Sequence, residues 1–239
     1  ARWIKDLGCK TVFILDDNEL SGGGIAKVVR DVCKEIGVEV LGHESIDTKA
    51  QEFTSLMTRV KRRNPDLVYF GGTTQTKAGQ LFKDMIAVGL TCPMMAPDGC
   101  FEQAMVASAG PESFEKLKFY ATFGGLPIDA LTEGKGAEFV RKYTQKYGQP
   151  PGDAYATYGY ECGLVALEAI RVGGRSGWKD KAELRKAVCA AGTSITDFDG
   201  ATGRWSFDAN GDTTNQTMSG NTVKDGKLTF VKRLALPKK

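Results

Sequence analysis

The sequence predicts an α/β fold: a doubly wound parallel sheet, for which the flavodoxin-like order second-first-third-fourth-fifth is the order adopted. Three observations predict it. Over the first half, short apolar runs alternate with segments of helical period, as strands and crossover helices do. Each run stops at a polar loop, most of them glycine-bearing, that leads into the next helix. The helical segments have the length that right-handed crossovers between neighbouring parallel strands require, so both faces of the sheet are covered.

The elements follow in order. "TVFILD" (11–16) is a buried strand, and "GGGIAKVVRDVCKEIG" (22–37) is a helix closed by a glycine. "VEVLG" (38–42) is the second strand and "QEFTSLMTRVKRRN" (51–64) the second helix. "DLVYFGG" (66–72) leads into a helix over 75–88, "CPMMAP" (92–97) into one over 101–108, and "LKFYATF" (117–123) is the fifth strand. After "TFGGLP" (122–127) the character changes. Helices over about 133–147, 152–172 and 180–191 follow one another without strands, and the segment 154–170 is apolar on most sides, so it wants more cover than one flank supplies. Short strands in "GRWSFD", "QTMSGNTV" and "KLTFVKRL" close the chain, with Asn210-Gly211 and Asp225-Gly226 as hairpin turns. The division is a complete lobe over 1–125, then returning helices and hinge strands of an incomplete second lobe over 126–239.

Composition excludes several classes. The 239 residues carry a net charge of +3, which gives no electrostatic footprint for nucleic acid or a membrane surface. No apolar run is long enough to span a bilayer. Six cysteines are scattered without a C-x-x-C pair and His43 is the one histidine, so zinc has no ligand set. The cysteines read as buried free thiols, with a strand separating Cys92 from Cys100. The opening "ARWIKDLGCK" reads as the end of an amphipathic helix running into a strand, and implies that an earlier part of the protein precedes it.

In an open α/β sheet of this order, ligands collect beyond the carboxyl ends of the strands, where the winding reverses between the first and third. The loops there are "DDNELSGG" (16–23) and "GGTTQ" (71–75), with "APDGCF" (96–101) beside them. All three lead into helix N-termini, where free N–H groups favour acceptors and anions. Each has a plain alternative. Gly22, Gly23 and Gly24 complete neither G-x-G-x-x-G nor a P-loop, and read as a helix entry. Thr73 or Thr74 is either an N-cap or a binding residue, and Asp98 either shapes a turn or binds.

Catalytic constellations are not completed. His43 follows an edge strand away from this crevice, and no G-x-S-x-G elbow occurs. Asp16-Asp17 reads as turn polarity; a hydrolase or transferase would need turnover dependent on one of them. "FDANGDTTN" (207–215) imitates a calcium loop, but Thr213 stands at the glycine position and Ser219 at the closing glutamate. No catalytic residue, metal ligand or cofactor is assigned.

The chain resembles the type I periplasmic solute-binding proteins of ABC importers, in the leucine/isoleucine/valine-binding branch. The resemblance rests on "VFILDDNELSGGGIAK", "PDLVYFGGTTQTKAGQ", "MMAPDGCFEQA", "ATFGGLP", "EFVRKYTQKYGQPPGDAYATYGYE" and "DFDGATGRWSFDANGDTT", which cover nearly the whole sequence in family order. It implies two lobes that close on a small solute, and here the second lobe, the return into the first, and the last hinge strands. It also implies a signal peptide in the precursor, a periplasmic location, an amino-acid-like ligand and delivery to a membrane permease, with no nucleic-acid partner, no direct membrane insertion and no enzymatic activity. An extracellular sensor domain of a receptor shares the fold and is the alternative; a sugar-repressor type of regulator would need a helix-turn-helix, which is not present.

By the same resemblance, Asp98 corresponds to the acidic residue that accepts the ligand's α-ammonium. Ser21 and Thr73 stand where the amino-acid binders have tyrosines, and Tyr155 corresponds to a contact from the returning helix. Loss of two aromatics implies a wider, more polar crevice than a branched-chain amino acid needs.

Overall fold

The computed structural model of the chain describes residues 1–175 and 177–235, which form two compact units. The first comprises Ala1–Gly124 and the closing strands from Met218 onward, and the second Gly125–Thr217.

The first unit is built on a seven-stranded sheet. Its strands are β1 (Thr11–Asp16), β2 (Glu39–Ser45), β3 (Leu67–Gly71), β4 (Met94–Ala96), β5 (Phe119–Phe123), β8 (Met218–Lys224) and β9 (Lys227–Leu234), in the order β2-β1-β3-β4-β5-β8-β9. The first five are parallel and the last two antiparallel. The predicted order holds, with a hairpin added beyond β5. Asp225 and Gly226 turn that hairpin with φ of 51° and 69°, the left-handed pair a two-residue turn demands.

β1 and β3 are buried on both faces because crossover helices cover each side. Val12, Ile14, Leu67 and Tyr69 pack with Trp3, Ala26 and Cys33 on the side of helix α2 (Leu20–Glu35), which follows the short opening helix α1 (Arg2–Asp6). Across the sheet, Phe82, Phe114 and Phe119 form an aromatic triangle with ring centroids 4.9–5.9 Å apart. These rings fasten α4 (Ala78–Ala87) and the four-residue α6 (Ser113–Lys116) to β5.

Two helices depart from expectation for identifiable reasons. Helix α3 (Thr54–Arg63) begins three residues late and ends at Asn64, whose φ is 50°. The N–H of its N-cap residue, Phe53, is served by Asp84, which accepts it at 2.6 Å. Helix α4 begins at Ala78 rather than 75, because Thr73 and Thr76 bond to one another and hold 73–77 as turns, with Lys77 at φ 83°.

The second unit carries α7 (Gly134–Tyr147), α8 (Tyr155–Gly173) and α9 (Lys181–Thr193), close to the predicted spans. Gly173 allows α8 and α9 to touch, since a Cβ there would lie 2.7 Å from the Val188 backbone. The predicted strand at 203–208 shortens to β7 (Gly203–Trp205), paired with β6 (Phe198–Gly200), a strand too short to show in the sequence pattern. Glu161 of α8 is buried beneath this hairpin and accepts the Trp205 indole N–H and the Thr202 hydroxyl at 2.6 Å each, with the Ala201 N–H. The segment 207–215 is a turn in which Asp208 Oδ1 accepts the Asn210 and Asp212 N–H groups. Leu167, Ile170 and Val172 of α8 are exposed, as an under-covered apolar helix would be.

All six cysteines are free thiols, but only Cys33 and Cys100 are buried; Cys162 and Cys189 are exposed on α8 and α9, which corrects the expectation of six buried thiols. The pKa of the Cys92 thiol is pushed up to about 11 by burial.

Candidate functional site

The loops after β1, β3 and β4 lie at the carboxyl edge of the sheet and are bonded into one platform. Asp17 N–H donates to Gly71 O at 3.0 Å, joining the first loop to the second. Thr74 N–H donates to Gly99 O at 3.1 Å, and Gln75 donates to Glu102 Oε1 at 2.9 Å, joining the second to the third. The Cys100 thiol reaches Gly72 O at 3.5 Å. Burial drives that thiol far above its ordinary range, so it is a packing group and weak donor rather than a nucleophile.

The glycines make this closeness possible. A methyl group on Gly22 would sit 2.1 Å from Asp17 Oδ1 and 2.6 Å from Gly71 O, so helix α2 approaches β3 only without a side chain there. Gly22, Gly23 and Gly24 are therefore helical residues of α2, and its first turn presses on the strand ends.

The predicted residues fall as follows. Ser21 is exposed in the first turn of α2, not in the preceding loop. Thr73 is half-buried, and its methyl group faces Gly99: a Cβ on Gly99 would be 2.8 Å from Thr73 Cγ2. Neither Thr73 nor Thr74 caps α4, whose N-cap position is Lys77, so the helix-cap alternative does not hold. Asp98 opens a single 3-10 turn, Asp98–Cys100, directly after Pro97 at the end of β4. Tyr155 belongs to the second unit; it is the first residue of α8, 43 % exposed, and its N–H donates to Asp153 Oδ1 at 2.7 Å.

Two carboxylates dominate the first loop. Asp17 is 4 % exposed; its Oδ1 accepts the Glu19 N–H at 3.0 Å and its Oδ2 the Thr76 hydroxyl at 2.9 Å. Asp16, equally buried, accepts the Asn18 N–H, and its Oδ2 lies 2.6 Å from His43 Nε2. This corrects the expectation that His43 lies away from the crevice. Strand β2 runs on to Ser45, opposite Asp16, and carries the imidazole to the carboxyl end of β1. The contact fastens the edge strand to the platform. Thr76, whose hydroxyl donates to Asp17, is the residue of this network that no sequence pattern singled out. Its only signal was the pairing of aspartates after one strand with hydroxyls after its neighbour.

This arrangement gathers carboxylates, hydroxyls and backbone groups at one edge of the sheet, which suits a small polar solute. The model of the family described as "Periplasmic binding protein" matches residues 1–227. The chain belongs to the periplasmic binding protein family. This family member is 28 % identical over 201 residues to the Leu/Ile/Val-binding protein homolog 2 of Brucella abortus, covering 84 % of the present chain and 50 % of the relative. It is 27 % identical over 206 residues to a leucine-, isoleucine-, valine-, threonine- and alanine-binding protein of Pseudomonas aeruginosa, covering 86 % and 51 %. The crystal structure of a leucine binding protein, LivK, from Thermotoga maritima superposes with a TM-score of 0.82 at 24 % identity, covering 97 % of this chain and 62 % of the other. That likeness confirms the mostly parallel α/β fold. The binding protein chain thus spans about half the length of the curated relatives it matches.

Proposed function

We propose that this chain is part of an extracytoplasmic solute-binding protein that captures an amino acid and delivers it to an ABC importer. The ligand is a branched-chain amino acid or a related small polar one. Residues 1–125 correspond to the complete lobe of such a protein, and 126–239 to the returning helices and hinge strands. The observation that carries this reading is the bonded platform of three loops at the carboxyl edge of the sheet in a chain of this family. Asp98 is the proposed partner of the α-ammonium, with Ser21 and Thr73 as neighbouring contacts. Tyr155 is a fourth contact on the resemblance alone.

The names of the relatives support an amino acid as ligand, and one of them includes threonine and alanine among its ligands. A polar Thr73 in place of an aromatic wall agrees with that wider range. Catalysis is not part of the proposal: among the described residues the Asp16–His43 pair has no nucleophile, and the Cys100 thiol is held protonated by burial. Calorimetric titration of the full-length protein with the common L-amino acids tests the reading. Saturable binding without turnover supports it; no binding to any of them sinks it.

A further inference from the structure

The hydroxyl of Thr73 is tied into a chain whose proton directions can be assigned. Thr76 has one hydroxyl proton and three acceptors within reach, Asp17 Oδ2 at 2.9 Å, Thr73 O at 3.1 Å and Thr73 Oγ1 at 3.3 Å. The carboxylate is the closest and the strongest acceptor, and takes the proton. Thr76 Oγ1 then has two lone pairs. One accepts the Thr73 N–H at 2.8 Å. The other faces Thr73 Oγ1 at 3.3 Å, a contact in which either hydroxyl can donate; with the Thr76 proton on Asp17, the donor across it is Thr73. Thr73 Oγ1 meanwhile accepts the Thr76 N–H at 3.3 Å. A hydroxyl has one proton and two lone pairs, so one lone pair remains. The rotamer cannot swap hydroxyl for methyl without cost, because the methyl is seated against Gly99.

We infer that Asp17 and Thr76 are positioning residues that make Thr73 a hydrogen-bond acceptor toward the ligand, so that this wall selects solutes bringing an N–H or O–H group. Asp17 sets the sense of the chain: its Oδ2 accepts the Thr76 hydroxyl at 2.9 Å, and the Thr73 hydroxyl beyond it is oriented in turn. A carboxylate or ester oxygen of a ligand meets no proton from Thr73, whereas an amide, hydroxyl or ammonium finds an acceptor. The inference deepens the proposed function and rests on that site being the binding crevice.

The test uses the full-length protein and two neutral, near-isosteric probes, L-glutamine and its methyl ketone L-2-amino-5-oxohexanoic acid, in which CH3 replaces NH2 and the side-chain N–H donors are lost. The expected result is tighter binding of glutamine by about tenfold, one hydrogen bond's worth. Thr76→Val, which frees the Thr73 hydroxyl to rotate, should bring the ratio close to one, and Thr76→Ser should restore it. In the ligand-free protein, Thr76→Val should also speed hydrogen exchange of the Thr73 amide, and Thr76→Ser should not. A ratio unmoved by Thr76→Val overturns the inference while leaving the solute-binding reading intact. An unchanged Thr73 exchange rate overturns it as well, whatever binds. If neither probe nor any other amino acid binds the wild-type protein, the solute-binding reading fails and takes this inference with it.

Discussion

Gly22 of α2 and Gly71 of β3 meet backbone to backbone: a methyl group added to Gly71 would lie 2.4 Å from the Gly22 carbonyl oxygen and 2.8 Å from Ala26 Cβ. This contact sets the height of helix α2 above the strand ends, and so the place of Ser21. Gly22→Ala or Gly71→Ala should each lower stability by about 1–3 kcal/mol through overpacking. Gly24 sits in the same helix, and a methyl group there would meet nothing within 4 Å, so Gly24→Ala should raise stability by up to about 1 kcal/mol. Urea midpoints of the three variants check the contrast, and equal losses at Gly22 and Gly24 would remove the contact as the cause.

Asp84 acts at a distance in sequence. It is 6 % exposed on α4, yet it accepts the Phe53 N–H that opens α3, and Gln80 donates to its other oxygen at 2.9 Å. Asp84→Ala leaves that N–H without its acceptor and should cost about 1–3 kcal/mol. Faster hydrogen exchange should appear first in the opening turn of α3. Loss of stability without any change there would assign the effect to packing.

Asp66 carries a pH dependence with a defined sign. Its carboxyl is held below the ordinary carboxylate range, chiefly by the Lys10 N–H, which it accepts at 2.7 Å, and also by the Thr11 N–H at 2.9 Å. A carboxyl lowered by folding stabilises the protein above its unfolded value and loses that contribution as pH falls through the folded one. Asp66→Asn should therefore lower the urea midpoint at neutral pH and flatten its fall below about pH 4, the ordinary aspartate value. The side chain is largely exposed, so the effect is small. A variant that falls as steeply in acid as the wild type would assign the slope to other carboxylates.

Much of this was legible in the sequence because alternation of period decides which segments are strands and which are crossover helices, and loops at the reversal of winding decide where polar groups gather. What was not legible depends on contacts between distant segments. Strand β2 outruns its apolar residues because it pairs with β1 as far as Asp16, and so His43 arrives where no local pattern puts it. Helix α4 starts late because Thr73 and Thr76 satisfy each other's backbone groups instead of the helix's. Glu161 reads as a solvated helix position, yet the hairpin 198–205 folds its indole, hydroxyl and amide donors over it. The purpose of Gly22 is equally silent until Gly71 is beside it.

Thr73 tests the shape of the crevice. In the full-length protein, Thr73→Tyr should supply an aromatic wall and shift preference toward bulky apolar amino acids such as leucine, at the expense of small polar ones. The added ring buries apolar ligand surface and removes the acceptor next to Thr76. Ranked affinities across an amino-acid panel check it, and an unaltered ranking would place the pocket elsewhere.

Asp98 is the residue on which amino-acid capture by this crevice depends. Its carboxylate at the end of β4 is the proposed acceptor of the ligand's α-ammonium, and a charge-assisted bond in a closed crevice outweighs a neutral one. The decisive measurement is the calorimetric affinity of the full-length protein for its best amino acid, before and after Asp98→Asn, which preserves shape and removes charge. The expected loss is about 2–4 kcal/mol in binding free energy, because the ammonium is left buried and poorly paired. An affinity equal to that of the wild type would contradict it, and would make Asp98 a turn residue in a protein whose ligand binds elsewhere.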